Sequence, residues 1–149
     1  MNGQLKVVFF DIGNTLVVSG VGFIAGALDT LTRLRQKGVR LGLISNTGKL
    51  KRAELLKALP ANFDLGIFEQ GLVVFSSEVK IEKPNPKIFE FAVKQTQLSP
   101  QDCLFCTEDL LDTLVAQKVG LLVARVQEPP ASDIAGLVDK LVTAGLLPA

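Results

Sequence analysis

Hydrophobic residues in this chain gather in short, unbroken runs separated by segments of helical spacing. Val7-Val8-Phe9-Phe10 and Val73-Val74-Phe75 have no polar face at all. A strand of that kind must be covered on both sides, as in a parallel sheet sandwiched between helices. Elsewhere apolar residues recur with helical period, most clearly Ile134, Leu137, Val138, Leu141 and Val142 at i, i+3, i+4, i+7 and i+8, the packing stripe of an amphipathic helix. The alternation predicts strands at 5–11, 39–44, 72–76, 103–107 and 121–126, and helices at 26–37, 49–58, 86–96, 109–119 and 132–145. Repeated strand–helix pairs imply an α/β fold of three layers, Rossmann-like, with a parallel sheet of about five strands and helices on both faces.

Punctuation between the elements agrees with these limits. Gly38 suits a helix stop, Pro86 the first turn of the next helix, and Gly120 the end of the one after Thr107, while Pro129-Pro130 sets off the last helix. The chain of 149 residues has no repeat, low-complexity tract or linker, so a single domain over 1–149 is expected. Although 48% of residues are apolar, no apolar run approaches the length of a membrane span. The opening Met1-Asn2-Gly3-Gln4 lacks the charged start and apolar middle of a signal peptide, so a cytoplasmic protein is expected.

Composition also narrows the chemistry. Sixteen basic against fifteen acidic residues leave a net charge of +1, without a basic block, so there is no electrostatic case for nucleic acid. Histidine, tryptophan and tyrosine are absent, which removes Ser-His-Asp and Cys-His catalysis and histidine-held zinc. Cys103 and Cys106 have the Cys-x-x-Cys spacing but flank Leu104-Phe105 inside a predicted strand. Redox pairs sit at a helix start, so these two read as small buried hydrophobes.

Carboxylates and lysines must then carry any chemistry, and four polar sites fall at predicted strand ends: Asp11 after Val7–Phe10, Ser45-Asn46-Thr47 after Leu41–Ile44, Lys83 before Pro84-Asn85-Pro86, and Glu108-Asp109 with Asp112 after Leu104-Phe105. In a parallel sheet these ends share one edge, where open α/β folds place their ligands. A carboxylate nucleophile, a hydroxyl with nearby amides, a lysine and an acidic cluster make a set suited to phosphoryl transfer. Asp11 would attack phosphorus, Ser45 and Lys83 would hold its oxygens, and the acids would hold Mg²⁺.

The same residues resemble the motifs of the haloacid dehalogenase-like (HAD) hydrolase superfamily, mostly phosphatases, from Leu5 to about Val126. Asp11, Thr15 and Leu16 match its first motif, Asp-x-Asp-x-Thr-Leu, and Leu41 to Asn46 match its second. Lys83-Pro84-Asn85-Pro86-Lys87-Ile88-Phe89 is similar to the third, and Val74-Phe75-Ser76-Ser77-Glu78-Val79 before it is typical of the family. The resemblance implies a Mg²⁺-dependent phosphatase acting through an aspartyl-phosphate. It makes Asp11 and Lys83 catalytic and Ser45, the Asn46 amide and Lys83 the phosphate grip. The metal falls to Asp11, the Gly13 carbonyl, Glu108 and Asp112.

The sequence departs from the family pattern in three places. Gly13 stands where the first motif has its second Asp, the residue that resembles a general acid/base for the leaving group. Loss of a positioned acid costs on the order of 10²–10⁴ in rate, least for good leaving groups. Thr107-Glu108 replaces the fourth motif's Gly-Asp. Alignment on Gly120 makes Glu108 the metal-ligand position and Asp112, on the same helix face if the helix starts at once, its support; Asp109 is the alternative. Finally, the 28 residues between Leu16 and Ser45 and the 37 between Ser45 and Lys83 leave no room for a cap domain. An open site would be covered by a second subunit or a macromolecular phosphorylated substrate, through Val17-Val18, Gly20, Gly22 and Phe23 or through Gly145-Leu146-Leu147-Pro148. Each residue also has an ordinary role: Asp11 in an Asx-turn, Ser45 in a turn or cap, Glu108 and Asp109 at a helix N-terminus, Lys83 in solvent. The competing class is a binding or regulatory protein that keeps the pocket and turns over little because Gly13 donates no proton.

Overall fold

The computed structural model describes residues 4–149; the opening Met1-Asn2-Gly3, read above for a signal peptide, lies outside them. Five strands, β1 (Val7–Phe10), β4 (Arg40–Ser45), β5 (Val73–Phe75), β6 (Cys103–Thr107) and β7 (Leu122–Arg125), form one parallel sheet in the order β5-β4-β1-β6-β7. Phe10 pairs with Leu43 on one side and Cys106 on the other. This register brings the carboxyl ends of β1, β4 and β6 to one edge, and Asp11, Ser45 and Thr107 with them.

Alternation along the strands divides the interior into two cores. Val8 and Phe10 face a cluster filled by Leu31 and Leu34 of α1 (Ala27–Gln36) and Leu137, Val138 and Leu141 of α6 (Leu137–Thr143). Val7 and Phe9 face Ile88, Phe89, Ala92 and Val93 of α4 (Pro86–Thr96) and Ala116 of α5 (Leu110–Val119). The runs without a polar face are covered on both sides, as their composition requires. Phe89 meets Phe105 edge to face at 5.1 Å, a geometry favoured by the ring quadrupoles. Gly42 has no room for a side chain: a Cβ there would lie 2.6 Å from the Phe9 ring and 2.7 Å from the Leu72 carbonyl. Cys103 and Cys106, three residues apart in a strand, point into opposite cores as buried free thiols, so they cannot act as a pair.

Several limits differ from the sequence reading. The last helix is a 3₁₀ turn, Ile134–Gly136, followed by α6, although Ile134, Leu137, Val138 and Leu141 are buried as the stripe predicts. Helix α2 runs over Arg52–Ala58, three residues later than the predicted start, because Thr47-Gly48-Lys49 forms a loop. Two elements carried no sequence signal. Strands β2 (Val17–Val18) and β3 (Gly22–Phe23) form an antiparallel hairpin, too short for any periodicity to register. Helix α3 (Ser76–Val79) is one turn directly after β5. The interval after Ser45 therefore holds two short helices and two 3₁₀ turns, not one helix, but neither interval holds an inserted domain.

The surfaces expected to meet a covering partner are engaged within the chain only in part, and Gly20, Gly145 and Pro148 are exposed. Val17 and Leu147 are buried, Phe23 stacks on Phe63 with ring centroids 5.5 Å apart, and the Leu146 carbonyl accepts a hydrogen bond from the Leu5 N–H. Val21, at the hairpin tip, is exposed. No described helix is long and apolar enough to cross a membrane.

Candidate active site

Asp11 leaves β1 at the level of Cys106, whose carbonyl accepts the Asp11 N–H. Its carboxylate then receives three groups. The Ile12 N–H donates to Oδ1 at 2.8 Å, Lys83 Nζ lies 3.1 Å from Oδ1, and Thr107 donates from Oγ1 to Oδ2 at 3.4 Å. Lys83 comes from the loop before α4 yet is buried. Its ammonium stands between Asp11 and Asp112 Oδ2, 3.5 Å away, with the Phe105 ring centroid at 5.3 Å. The exposed lysine of the ordinary reading is therefore a buried cation held by two carboxylates.

Asn46 fixes that placement. Its Nδ2 donates to the Lys83 carbonyl at 2.9 Å and its Oδ1 accepts the Lys83 N–H at 2.8 Å. With Oδ1 and one Nδ2 hydrogen occupied in this way, the Asn46 backbone amide and the second Nδ2 hydrogen are left for an anion. The next residue anchors the loop from the other side: the Thr47 N–H donates to Ser76 Oγ at 2.8 Å, and Thr47 Oγ1 donates to Ser77 Oγ at 2.8 Å. Thr47, Ser76, Ser77 and Thr107 were missed as positioning residues. Their only sequence signal was hydroxyls within two residues of strand ends.

The acidic group divides by role. Helix α5 begins at Leu110, with Asp109 as its cap: Asp109 Oδ1 accepts the Asp112 N–H at 2.9 Å, a usual use of Asp at this position. Glu108 lies before the helix, so the shared-face argument for Glu108 and Asp112 does not hold. Asp112, expected among the metal-holding residues, is instead directed at Lys83. Burial raises the Asp112 carboxyl above the usual range in spite of the nearby ammonium. The Glu108 backbone is fixed by Thr15 Oγ1, which accepts its N–H at 3.2 Å, and by Arg125 Nε, which donates to its carbonyl at 3.0 Å. Its carboxylate has no hydrogen-bond or ion-pair partner among the described residues. Burial first, then the charge of Asp11, raises it above the usual range.

A carboxylate whose ionisation is made costlier by a second one nearby, as that of Glu108 is by Asp11, invites a cation beside it. Among the described residues no three Asp, Glu, His or Cys side chains form a complete cage. The available oxygens are those of Asp11 and Glu108 together with the Gly13 carbonyl. A few hard oxygen ligands, completed by water and substrate phosphate, match the habit of Mg²⁺.

Ser45 ends β4, and its hydroxyl makes no hydrogen bond within the described residues. With Gly13 it lines an open cleft of about 200 Å³ under the hairpin, walled by Val17 and by Leu55 and Leu59. Gly13 is exposed, and a Cβ there would meet nothing within 4 Å. A larger groove of about 650 Å³, lined by Lys49, Lys51, Arg52 and Lys80 among others, touches none of Asp11, Gly13, Ser45 and Lys83. The small cleft borders Gly13, Ser45 and Asn46.

The chain and its fold have counterparts among known proteins. The model of the haloacid dehalogenase-like hydrolase family matches residues 4–126. The chain belongs to this family. A curated HAD relative, the glyceraldehyde 3-phosphate phosphatase of Methanopyrus kandleri, is 30% identical over 108 residues, which is 72% of this chain and 44% of that protein. The chain therefore spans less than half the length of this relative. An uncharacterized protein from Listeria monocytogenes serotype 4b shares the HAD fold with a TM-score of 0.81 at 18% identity, over 95% of this chain and 99% of that one. A HAD family enzyme from Bacteroides thetaiotaomicron, solved with magnesium and inorganic phosphate, gives a TM-score of 0.72 at 16% identity, over 85% and 96%.

Proposed function

We propose that this chain is a Mg²⁺-dependent phosphohydrolase that works through an aspartyl-phosphate on Asp11. The observation that carries the reading is the Asp11 carboxylate, fixed at the sheet edge by the Ile12 N–H and by Lys83 Nζ at 3.1 Å. The ammonium orients the Asp11 carboxylate and presents positive charge to the oxygens of an incoming phosphoryl group. Ser45 Oγ, without a partner among the described residues, and the Asn46 amide hold those oxygens. Asp112 keeps Lys83 in place from behind. Bound at Asp11, the Gly13 carbonyl and Glu108, Mg²⁺ would neutralise phosphoryl charge as it shifts between oxygens.

The name of the Methanopyrus kandleri relative, glyceraldehyde 3-phosphate phosphatase, supports phosphoester hydrolysis as the reaction class. The test is release of inorganic phosphate from acetyl phosphate, whose leaving group needs no acid, with Mg²⁺ or with chelator, beside an Asp11→Asn variant. Turnover that requires both the metal and Asp11 is expected. Phosphate release unchanged in Asp11→Asn would overturn the reading. A second reading, a binding protein with little turnover, rests on Gly13. Phosphate binding without hydrolysis of acetyl phosphate would select it.

A further inference from the structure

We infer that the cleft between the hairpin and α2 receives an uncharged, single-ring leaving group, so that the preferred substrates are aryl phosphomonoesters. This rests on the phosphohydrolase reading and adds a substrate class to it. The cleft borders Gly13, two residues from the nucleophile, and Ser45, and the larger cationic groove borders neither. An ester oxygen on a phosphoryl group within reach of Asp11 and Ser45 therefore opens toward this cleft.

Its lining states what fits. Ile12, Val17, Leu55, Ala58 and Leu59 supply apolar walls, and no charged side chain lines it. A carboxylate or a second phosphate there would lose water and gain no partner, a cost of several kcal/mol in general. Its size, about 200 Å³, is near that of an apolar cavity of roughly 150 Å³ that takes up benzene in another protein. One ring fills it. The lining also bears on departure, because Ser19, Ser45 and Asn46 are its only side-chain donors and none is an acid at neutral pH. A phenol-like oxide leaves without prior protonation, whereas an alkoxide does not. Apolar walls and the missing acid thus select the same ester.

The transfer balances simply. An Asp11 oxygen bonds to phosphorus as the aryl oxygen–phosphorus bond breaks, and the aryl oxide leaves with the electron pair and takes a proton from water. Water then attacks the aspartyl-phosphate, which restores the carboxylate and releases inorganic phosphate.

Binding of phenylphosphonate and methylphosphonate to the Mg²⁺-loaded protein, measured by titration calorimetry, tests this without depending on turnover. Phenylphosphonate is expected to bind about tenfold more tightly, since burying most of a ring supplies that much. Leu59→Ser should reduce the preference. Ala58→Phe, at an exposed position on the last turn of α2, fills the cleft without touching the core and should abolish it. In both variants the ratio of kcat/KM for phenyl phosphate to that for acetyl phosphate should fall in step. Equal binding of the two phosphonates, or a preference that survives both substitutions, overturns the inference, even where acetyl phosphate is still hydrolysed and the broader reading stands. A phenyl preference without any hydrolysis keeps the ring site and removes the phosphohydrolase.

Discussion

Glu108 and Asp112 show how far a residue's role depends on a shift of one position. Both are acids just after a strand, and spacing alone treats them alike. The cap on Asp109 fixes where α5 starts, and that start turns Asp112 inward to Lys83 while leaving Glu108 beside Asp11 without a partner. Asp11 and Lys83 were legible because each adjoins a run with one structural meaning, a strand end and a Lys-Pro turn. The division of labour among the acids was not, because it depends on a cap one residue from the alternative. A pH dependence follows from the raised Glu108 carboxyl. Between the ordinary glutamate range and its raised value, the folded chain binds this proton more readily than the unfolded chain does, so stability falls as pH rises through that window. Asp112 adds to the same trend. In chelator, Glu108→Gln is expected to flatten the fall in melting temperature with pH. In the unmodified protein, added Mg²⁺ should raise the melting temperature more at neutral than at acidic pH, and Glu108→Gln should lose that gain. Thermal melts across pH, with and without the metal, check both.

Among the elements, the sheet strands and the two long helices before and after β6 were legible, because burial on both faces or on one stripe writes itself into composition. Pro86 opens α4 and Gly120 closes α5, as read. The β2–β3 hairpin and α3 were not, since two-residue strands and a single turn carry no period; they are fixed by what they touch, Phe23 on Phe63 and Ser76 on Thr47. The signals at the ends of β4, β1 and β6 share one edge because these strands lie side by side in register, and Gly42 sits within that sheet close against the Phe9 ring. In Gly42→Ala the new methyl would fall 2.6 Å from the Phe9 ring and 2.7 Å from a carbonyl of the neighbouring chain segment. Overpacking of this kind costs about 1–3 kcal/mol, more where backbone must shift. Chemical unfolding should show a loss at the upper end of that range, with phosphoryl transfer reduced as β1 and β4 separate. A fully stable Gly42→Ala would mean that the sheet and its neighbours are less closely packed than described.

The whole molecule sets an open edge against solvent, with no inserted domain above it and one small cleft to distinguish substrates. In such a site water would never be far from a leaving group, and on the proposed phosphohydrolase reading the identity of residue 13 would decide which esters react. Glycine is not required there by the backbone: Gly13 is absent from the positive-φ positions, and a Cβ would meet nothing within 4 Å. An aspartate can therefore be installed without strain, which separates the chemical effect of the missing acid from any effect on folding. Gly13→Asp is expected to leave the melting temperature within a few degrees of the parent and to raise kcat/KM for alkyl phosphates by about tenfold or more, within the range a positioned acid supplies. Acetyl phosphate, which needs no acid, should gain little. Phenyl phosphate should lose its advantage, because the new carboxylate would stand in the wall of an otherwise uncharged cleft and oppose an apolar ring. Steady-state rates for the three esters, measured beside a melt, decide it. If the alkyl esters gain nothing while the fold is intact, the limit lies in the placement of Glu108 and its cation, and the glycine is incidental.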